Sequence, residues 1–246
     1  MEYLITFAAC TDKGSRSINE DTIRVFQHSG KNGCVLCDGL GGMGMGDTAS
    51  QLVVDVFQDL FYKEENPARF LPMAFQAAQD VLTAEQRRRH AEEKMKTTAV
   101  ALVMDKKKAY IGHIGDSRLY VFHDGKIVKR TLDHSVPQML ALTGEIDESE
   151  IRHHKNRSII LKTLGIEWET PMYEIMKPIP LSKCDAFLLC SDGFWEMIED
   201  EEMCSCLTGT WDPGNWLDRM LEKVHERGRG TNMDNYSAIA VRVLKG

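Results

Sequence analysis

Gly33-Cys34-Val35-Leu36-Cys37-Asp38-Gly39 and Phe187-Leu188-Leu189-Cys190-Ser191-Asp192-Gly193 share one pattern, a short apolar run that ends on an aspartate followed by glycine. A run of this length bounded by turn residues reads as a strand. The glycine lets the backbone turn sharply and brings a carbonyl close to a ligand. Each segment therefore sets a carboxylate at a strand end, held by a sheet yet opening onto a cleft. Asn19-Glu20-Asp21 opens the strand-like run 21–28, and Asp234-Asn235 sits just before the final one, 236–244.

Taken singly, an Asp-Gly pair is a turn signal. Taken together, four acidic segments without Lys or Arg partners would repel one another and raise their own pKa values unless cations neutralised them. All-oxygen ligation selects hard octahedral ions, so Mg²⁺ or Mn²⁺ is favoured over Zn²⁺ or Cu²⁺. Two such ions about 3.5–4 Å apart would activate a bridging water and stabilise an in-line displacement at phosphorus. The chemistry suggested is phosphate ester hydrolysis.

Outward from these segments the chain alternates blocks of strands and helices. Residues 3–10, 21–28 and 33–37 read as strands. Residues 47–62 carry Leu52, Val53, Val56, Phe57, Leu60 and Phe61 on one helical stripe, with Asp47 or Thr48 as N-cap. A second helix is expected from Pro67 to about Lys94, with Phe70, Met73, Ala74, Ala77 and Val81 inward. Strands return at 97–104, 108–114, 117–123 and 126–131, joined by Asp105-Lys106-Lys107 and the tight-turn pair Asp124-Gly125, and predict an antiparallel meander. Residues 134–170 are polar and poor in strands, which marks a surface excursion beside a site. A strand at 185–190, short helices near 194–207, a helix at 213–227 and the final strand complete an α+β layout of roughly ten strands and at least four helices.

Composition narrows the classes. The 246 residues, 43% hydrophobic and 27% charged, suit a folded chain with a substantial core. A net charge of −7 with dispersed Lys and Arg argues against nucleic acid, and Arg87-Arg88-Arg89-His90, followed by Glu92 and Glu93, reads as a solvated helix face. No apolar stretch approaches the ~20 residues of a membrane span, and Met1-Glu2-Tyr3-Leu4-Ile5-Thr6 lacks the pattern of a secretory signal, so a cytoplasmic location is expected. Seven irregularly spaced cysteines fit a reducing compartment. Cys34 and Cys37 have C-x-x-C spacing, but three apart on a strand they point to opposite faces and cannot share a zinc ion. Cys204 and Cys206, in a helical pattern, also diverge.

In order along the chain, Gly14-x-Arg16-x-x-Asn19-Glu20-Asp21, Asp38-Gly39-Leu40-Gly41-Gly42, Thr97-Thr98, Gly115-Asp116-Ser117-Arg118-Leu119-Tyr120, Leu132-Asp133-His134-Ser135, Leu189-Cys190-Ser191-Asp192-Gly193-Phe194-Trp195 and Asp234-Asn235 resemble the metal-dependent serine/threonine protein phosphatases of the 2C type. The resemblance spans nearly the whole chain and is nearer to bacterial members. It implies an αββα four-layer sandwich, two central mostly antiparallel sheets between helices, as a single catalytic domain over 1–246 with a flap at about 134–170. It implies two Mn²⁺ or Mg²⁺ ions and direct attack by metal-activated water without a phosphoenzyme. Asp38 matches the carboxylate bridging both metals, the Gly39 carbonyl and Asp21 match ligands of the second, and Asp192 and Asp234 match ligands of the first. Within the Glu20-Asp21 pair the match to the ligand falls on Asp21 rather than Glu20. Arg16 matches the guanidinium that grips the substrate phosphate, so Arg16 and Asp38 are the expected catalytic pair.

The chain departs from the family pattern in places. Leu40 stands where the family's eukaryotic members often carry a histidine proposed as general acid, so a metal-bound water or another group must protonate the leaving alkoxide. Relatives with a third, weaker metal hold it through positions matching Asp116 and Glu196, the second a longer side chain than the usual aspartate. Lys96 replaces a glycine before the Thr-Thr pair. His134 is read as orienting its loop, while His153, His154, Lys155 and Arg157 of the flap are candidates to meet substrate. The resemblance implies phosphoserine and phosphothreonine proteins as substrates, a cognate serine/threonine kinase as partner, and a monomer. Two other readings are a non-catalytic binding module and a hydrolase of small phosphate esters; retention of Asp21, Asp38, Asp192 and Asp234 weighs against the first.

Overall fold

The computed structural model describes residues 3–40 and 44–245. Met1 and Glu2 of the amino-terminal run, and Gly41-Gly42 of the Asp38 motif, lie outside the described residues.

The chain opens with β1 (Tyr3–Asp12), β2 (Asp21–His28) and β3 (Lys31–Leu40), then forms α1 (Gly46–Lys63) and α2 (Pro67–Arg89). Five strands follow: β4 (Lys96–Thr97), β5 (Ala99–Met104), β6 (Lys108–Ile114), β7 (Arg118–His123) and β8 (Lys126–Arg130). Next come α3 (Val136–Thr143), a 3-10 turn at Glu148–His153, and the two-residue strands β9 (Glu174–Ile175) and β10 (Ile179–Pro180). The chain closes with β11 (Ala186–Cys190), α4 (Asp192–Trp195), α5 (Asp200–Leu207), α6 (Pro213–Gly228) and β12 (Tyr236–Lys245).

All strand pairs are antiparallel and fall into two sheets, ordered β1-β12-β11-β7-β8 and β10-β6-β5-β3-β2, with β4 beside β3 and β9 beside β6. Alternation along each strand divides the interior into three apolar layers. Leu36, Val100, Leu102, Phe187, Leu189, Ile239 and Val241 fill the space between the sheets. Val35, Cys37, Ala101 and Val103 turn the other way, onto α1 and α2. Leu188, Cys190, Ala238 and Ala240 turn onto α4, α5 and α6. The result is four layers: helices, sheet, sheet, helices. Cys34 and Cys37 fall in different layers, as strand alternation requires, and all seven cysteines are free. At one edge β8 is short and rich in Lys and Arg, which protects it from pairing with another chain.

Four expectations need correction. The strands between 97 and 131 are not one meander: β5 and β6 belong to one sheet, and β7 and β8 to the other. The crossing occurs at Gly115-Asp116-Ser117, where Gly115 adopts a φ of 100°. The inner face of α2 is Phe70, Leu71, Ala74, Phe75, Ala78 and Leu82, while Met73 and Val81 face outward. Gln79 and Gln86 share the buried face and bond the backbone of Gly165 and its neighbours, so the true stripe is partly polar. The helix also ends at Arg89, with His90 in a left-handed C-cap, rather than near Lys94. Finally, the N-cap of α1 is Met45 rather than Asp47 or Thr48, and Asp47 lies inside the first turn, where its carboxylate accepts the Thr48 amide hydrogen at 2.7 Å. The Glu20 carboxylate lies beside Gly46 at the start of the helix. The count rises to twelve strands and six α-helices among the described residues.

Arg88 and Arg89 pair with Glu85, and Arg87 with Glu167, so the basic run is a solvated helix face. Asp124 and Gly125 both have positive φ, as a primed hairpin turn demands. Among the described residues no helix is long and apolar enough to cross a membrane.

Candidate metal centre

The two sheets bring the acidic segments to one end of the sandwich. Asp21 opens β2 and stands directly across from Asp38 near the end of β3. Asp192 follows β11 at the start of α4, and Asp234 lies two residues before β12. Ser191 joins the sheets: its hydroxyl donates to Asp21 Oδ2 at 2.8 Å and accepts the Ser237 amide at 2.9 Å.

The backbone around the aspartates is held from several sides. Thr97 Oγ1 donates to the Asp38 carbonyl at 2.8 Å, and the Asp38 amide donates to Thr98 Oγ1 at 3.0 Å. Thr98 Oγ1 in turn lies 2.7 Å from Ser117 Oγ. The Asn235 side chain accepts from the Glu20 amide and donates to the carbonyls of Lys13 and Ile18, which fixes the loop that carries Arg16. The glycines after Asp38 and Asp192 are sterically required. A Cβ on Gly39 would lie 2.2 Å from the Gly46 carbonyl oxygen, and one on Gly193 2.1 Å from that of Asn235.

This end of the molecule concentrates negative charge. Burial first, then the charges of Asp21, Asp192, Asp116 and Asp234, hold the Asp38 carboxyl well above the usual carboxylate range. Burial pushes Asp21 up to about 6, against hydrogen bonds from Ser237 and Ser191. Burial and the nearby Glu196 push Asp192 up to about 7. Asp116 is also raised, by burial and by Asp192. Among the described residues, Asp21 Oδ1 and both carboxylate oxygens of Asp116 are buried without a hydrogen-bond partner. Orphaned carboxylate oxygens in such a cluster are costly unless a cation meets them. An all-oxygen donor set of this kind fits Mg²⁺ or Mn²⁺.

Two basic side chains approach the cluster, and both are engaged. Arg16 donates to both oxygens of Asp234, at 2.9 and 2.8 Å, in a half-exposed fork. Arg157, from the flap region, donates to Glu196 at 2.8 Å. Thus Arg16 stands at the rim, and Glu196 lies beside Asp192 but is paired. Asp133 is committed to Arg118, whose guanidinium stacks on Trp195 at 3.5 Å, so it braces the Asp116 turn from below. Glu20 turns toward the start of α1. Leu40 ends β3 opposite Lys96 of β4. The flap is pinned further by Arg152, which meets Glu199 and Asp200, and by His153, 3.5 Å from Glu199.

His113, His134 and Glu174 form a separate cluster of metal-ligand type. His134 Nδ1 accepts the Gly115 amide hydrogen at 3.1 Å, so the neutral ring carries its proton on Nε2, 3.0 Å from Glu174. That leaves His134 no free lone pair for a metal. His113 stacks on it at 4.9 Å and is pushed down to about 4 by burial and by His134. His134 orients the Gly115 turn, in line with the sequence reading. The bracing roles of Ser191, Thr98 and Asn235 were missed by sequence reasoning. Only their place inside the motifs pointed to them.

Residues 12–235 match the profile of the family described as Protein phosphatase 2C. The chain is similar to the serine/threonine phosphatase stp of Listeria welshimeri, 29% identical over 231 residues and covering 91% of each chain. Its fold superposes on serine/threonine phosphatase Stp1 from Staphylococcus aureus with a TM-score of 0.89 at 27% identity, covering 99% of this chain and 96% of that one. It is also similar to the catalytic domain of serine threonine protein phosphatase PstP in complex with two manganese ions, with a TM-score of 0.80 at 27% identity over 99% of this chain and 100% of that one.

Proposed function

Because this chain belongs to the protein phosphatase 2C family and is a protein serine/threonine phosphatase, we propose that it hydrolyses phosphoserine and phosphothreonine at a binuclear Mn²⁺ or Mg²⁺ centre held at the end of the sandwich. The observation that carries this reading is the group of mutually raised carboxylates with orphaned oxygens.

Asp38 would be shared between the two ions, with Asp192 and Asp234 completing one side and Asp21 and the Gly39 carbonyl the other. When bound, the ions supply Lewis-acid activation of water and charge neutralisation at phosphorus. The protein's own residues do the positioning. The Thr97-Thr98 pair and Ser191 fix Asp38 and Asp21 before substrate arrives, so little reorganisation remains for the reaction. Arg16 presents a planar fork at the rim, suited to two phosphate oxygens. Since that fork holds Asp234, phosphate binding requires Arg16 to exchange one oxyanion for another, which ties substrate capture to the state of Asp234. Leu40 has no proton to give, so the leaving alkoxide must take its proton from water or from another group. Asp116, with its two unpartnered oxygens, is the stronger half of a third ion site; Glu196 joins only if Arg157 releases it.

On this reading residues 1–246 form one catalytic domain with 134–170 as its flap, acting as a monomer in the cytoplasm and opposing a serine/threonine kinase. The test is p-nitrophenyl phosphate hydrolysis with Mn²⁺ and with EDTA, in the parent chain and in Asp38→Asn and Asp192→Asn. Activity should fall by at least about a hundredfold on chelation or either substitution; activity that survives chelation sinks the proposal. A phosphothreonine peptide run against sugar phosphates distinguishes a protein phosphatase centre from one serving small esters.

A further inference from the structure

At the other end of the β1-β12-β11 sheet, about 20 Å along β12 from the metal centre, lies a cavity of about 800 Å³ whose lining includes Tyr3, Cys184, Asp185, Trp211 and Arg242. This volume is within the range of small-molecule sites. Arg242 is 3% exposed, and its Nε has no hydrogen-bond partner among the described residues. Its side chain shares the helix-facing side of β12 with Ala238 and Ala240, and it reaches the link between α5 and α6, where its guanidinium stacks over Trp211 at 5.0 Å. Trp211 itself is 71% exposed, so the ring remains largely open.

A buried guanidinium is costly unless an anion meets it, and burial holds the Arg242 pKa below its ordinary value. Asp185 is the nearby carboxylate and its charge favours the Arg242 cation, but its Oδ2 accepts the Asp124 amide hydrogen and no hydrogen bond reaches Arg242 Nε among the described residues. Directly across the β1–β12 register, Thr6 has a buried hydroxyl that is also without a partner among the described residues. Among the described residues the Nε of a charged side chain and a hydroxyl are therefore left without hydrogen-bond partners side by side, next to an open aromatic face in a cavity. We propose that this is a second ligand site, taking a small molecule that joins an oxyanion, phosphate or carboxylate, to a flat ring: Arg242 donates to the oxyanion and Trp211 stacks on the ring.

The test is isothermal titration of the Mn²⁺-loaded full chain with adenosine monophosphate as the phosphate source and benzoate as the carboxylate source, with inorganic phosphate and adenosine as the separate halves. Binding at the metal centre is common to all variants, so comparison isolates this cavity. Arg242→Met should weaken one saturable component by at least about tenfold, the worth of a charged hydrogen bond, and Trp211→Ala should weaken the same component, with p-nitrophenyl phosphate turnover unchanged in both. If Arg242→Met fails to fold, Trp211→Ala, an exposed position, decides alone. Identical isotherms in parent and variants would overturn the proposal and leave Arg242 and Trp211 as a structural stacking pair.

Discussion

Ser191 shows how much of the centre rests on groups that carry no charge. Its hydroxyl serves Asp21 from one sheet and the Ser237 amide from the other, and it lies fully buried. In Ser191→Ala both partners lose their bond where water cannot replace it. Urea unfolding should report a loss of roughly 1–3 kcal/mol, and the Mn²⁺ concentration for half-maximal activity should rise; an unchanged midpoint and unchanged metal dependence would refute this role. The strand-end positions of Asp38 and Asp192 were legible from sequence because each ends an apolar run and precedes a glycine. Ser191 was not, because its partners are 170 and 46 residues away and nothing local distinguishes it from any serine at a strand end. The Arg16–Asp234 and Arg157–Glu196 pairs were hidden for the same reason.

At the scale of the element, α2 illustrates how a hydrophobic pattern can be read one position out of phase. Met73 and Val81 look like core residues at helical spacing, yet they are exposed, while Phe75 and Leu82 are fully buried. Phe75 packs edge-on to Phe57, stacks on Tyr173, and reaches the face of β6 at Gly112, where a Cβ would lie 2.7 Å from its ring. Phe75→Ala should therefore cost about 3–5 kcal/mol, whereas Met73→Ala should stay within about 0.5 kcal/mol. Paired chemical-denaturation curves decide it; comparable losses would restore the stripe drawn from sequence. The existence of α2 and its start at Pro67 were readable because Pro67 is a local signal. Its rotation was not. Gln79 and Gln86 occupy buried positions to meet the backbone at Gly165, a demand made by a distant segment. The supposed meander failed similarly, since pairing periodicity does not say which sheet a hairpin joins.

Across the whole molecule, folding gathers carboxylates from both sheets and so ties stability to pH and to cations. Asp21 and Asp192 are raised from 3.8 to about 6 and about 7. A group raised on folding contributes its stability fully below its unfolded pKa and loses it as pH rises through the folded value. The metal-free chain should therefore carry a growing penalty between about pH 4 and 7 that Mn²⁺ relieves, so the gain in melting temperature on adding Mn²⁺ should be larger at pH 8 than at pH 5. A gain that is equal or larger at pH 5 would count against the cluster as drawn. His113 acts in the opposite sense: lowered from 6.5 to about 4, it stabilises fully above 6.5 and loses that contribution as pH falls toward 4, with or without metal. The sequence alone determined the α+β class, most strand and helix positions, the family resemblance and the residues of the expected metal set, because periodicity, turn residues and motif order are local and additive. Only the tertiary structure decided which strands share a sheet, which face of α2 is buried, and which side chains neutralise or brace each carboxylate, because those depend on contacts between residues far apart in the chain. The Asp38-Gly39 and Asp192-Gly193 turns can be read from their own neighbours; that they face one another across two sheets is a property of packing.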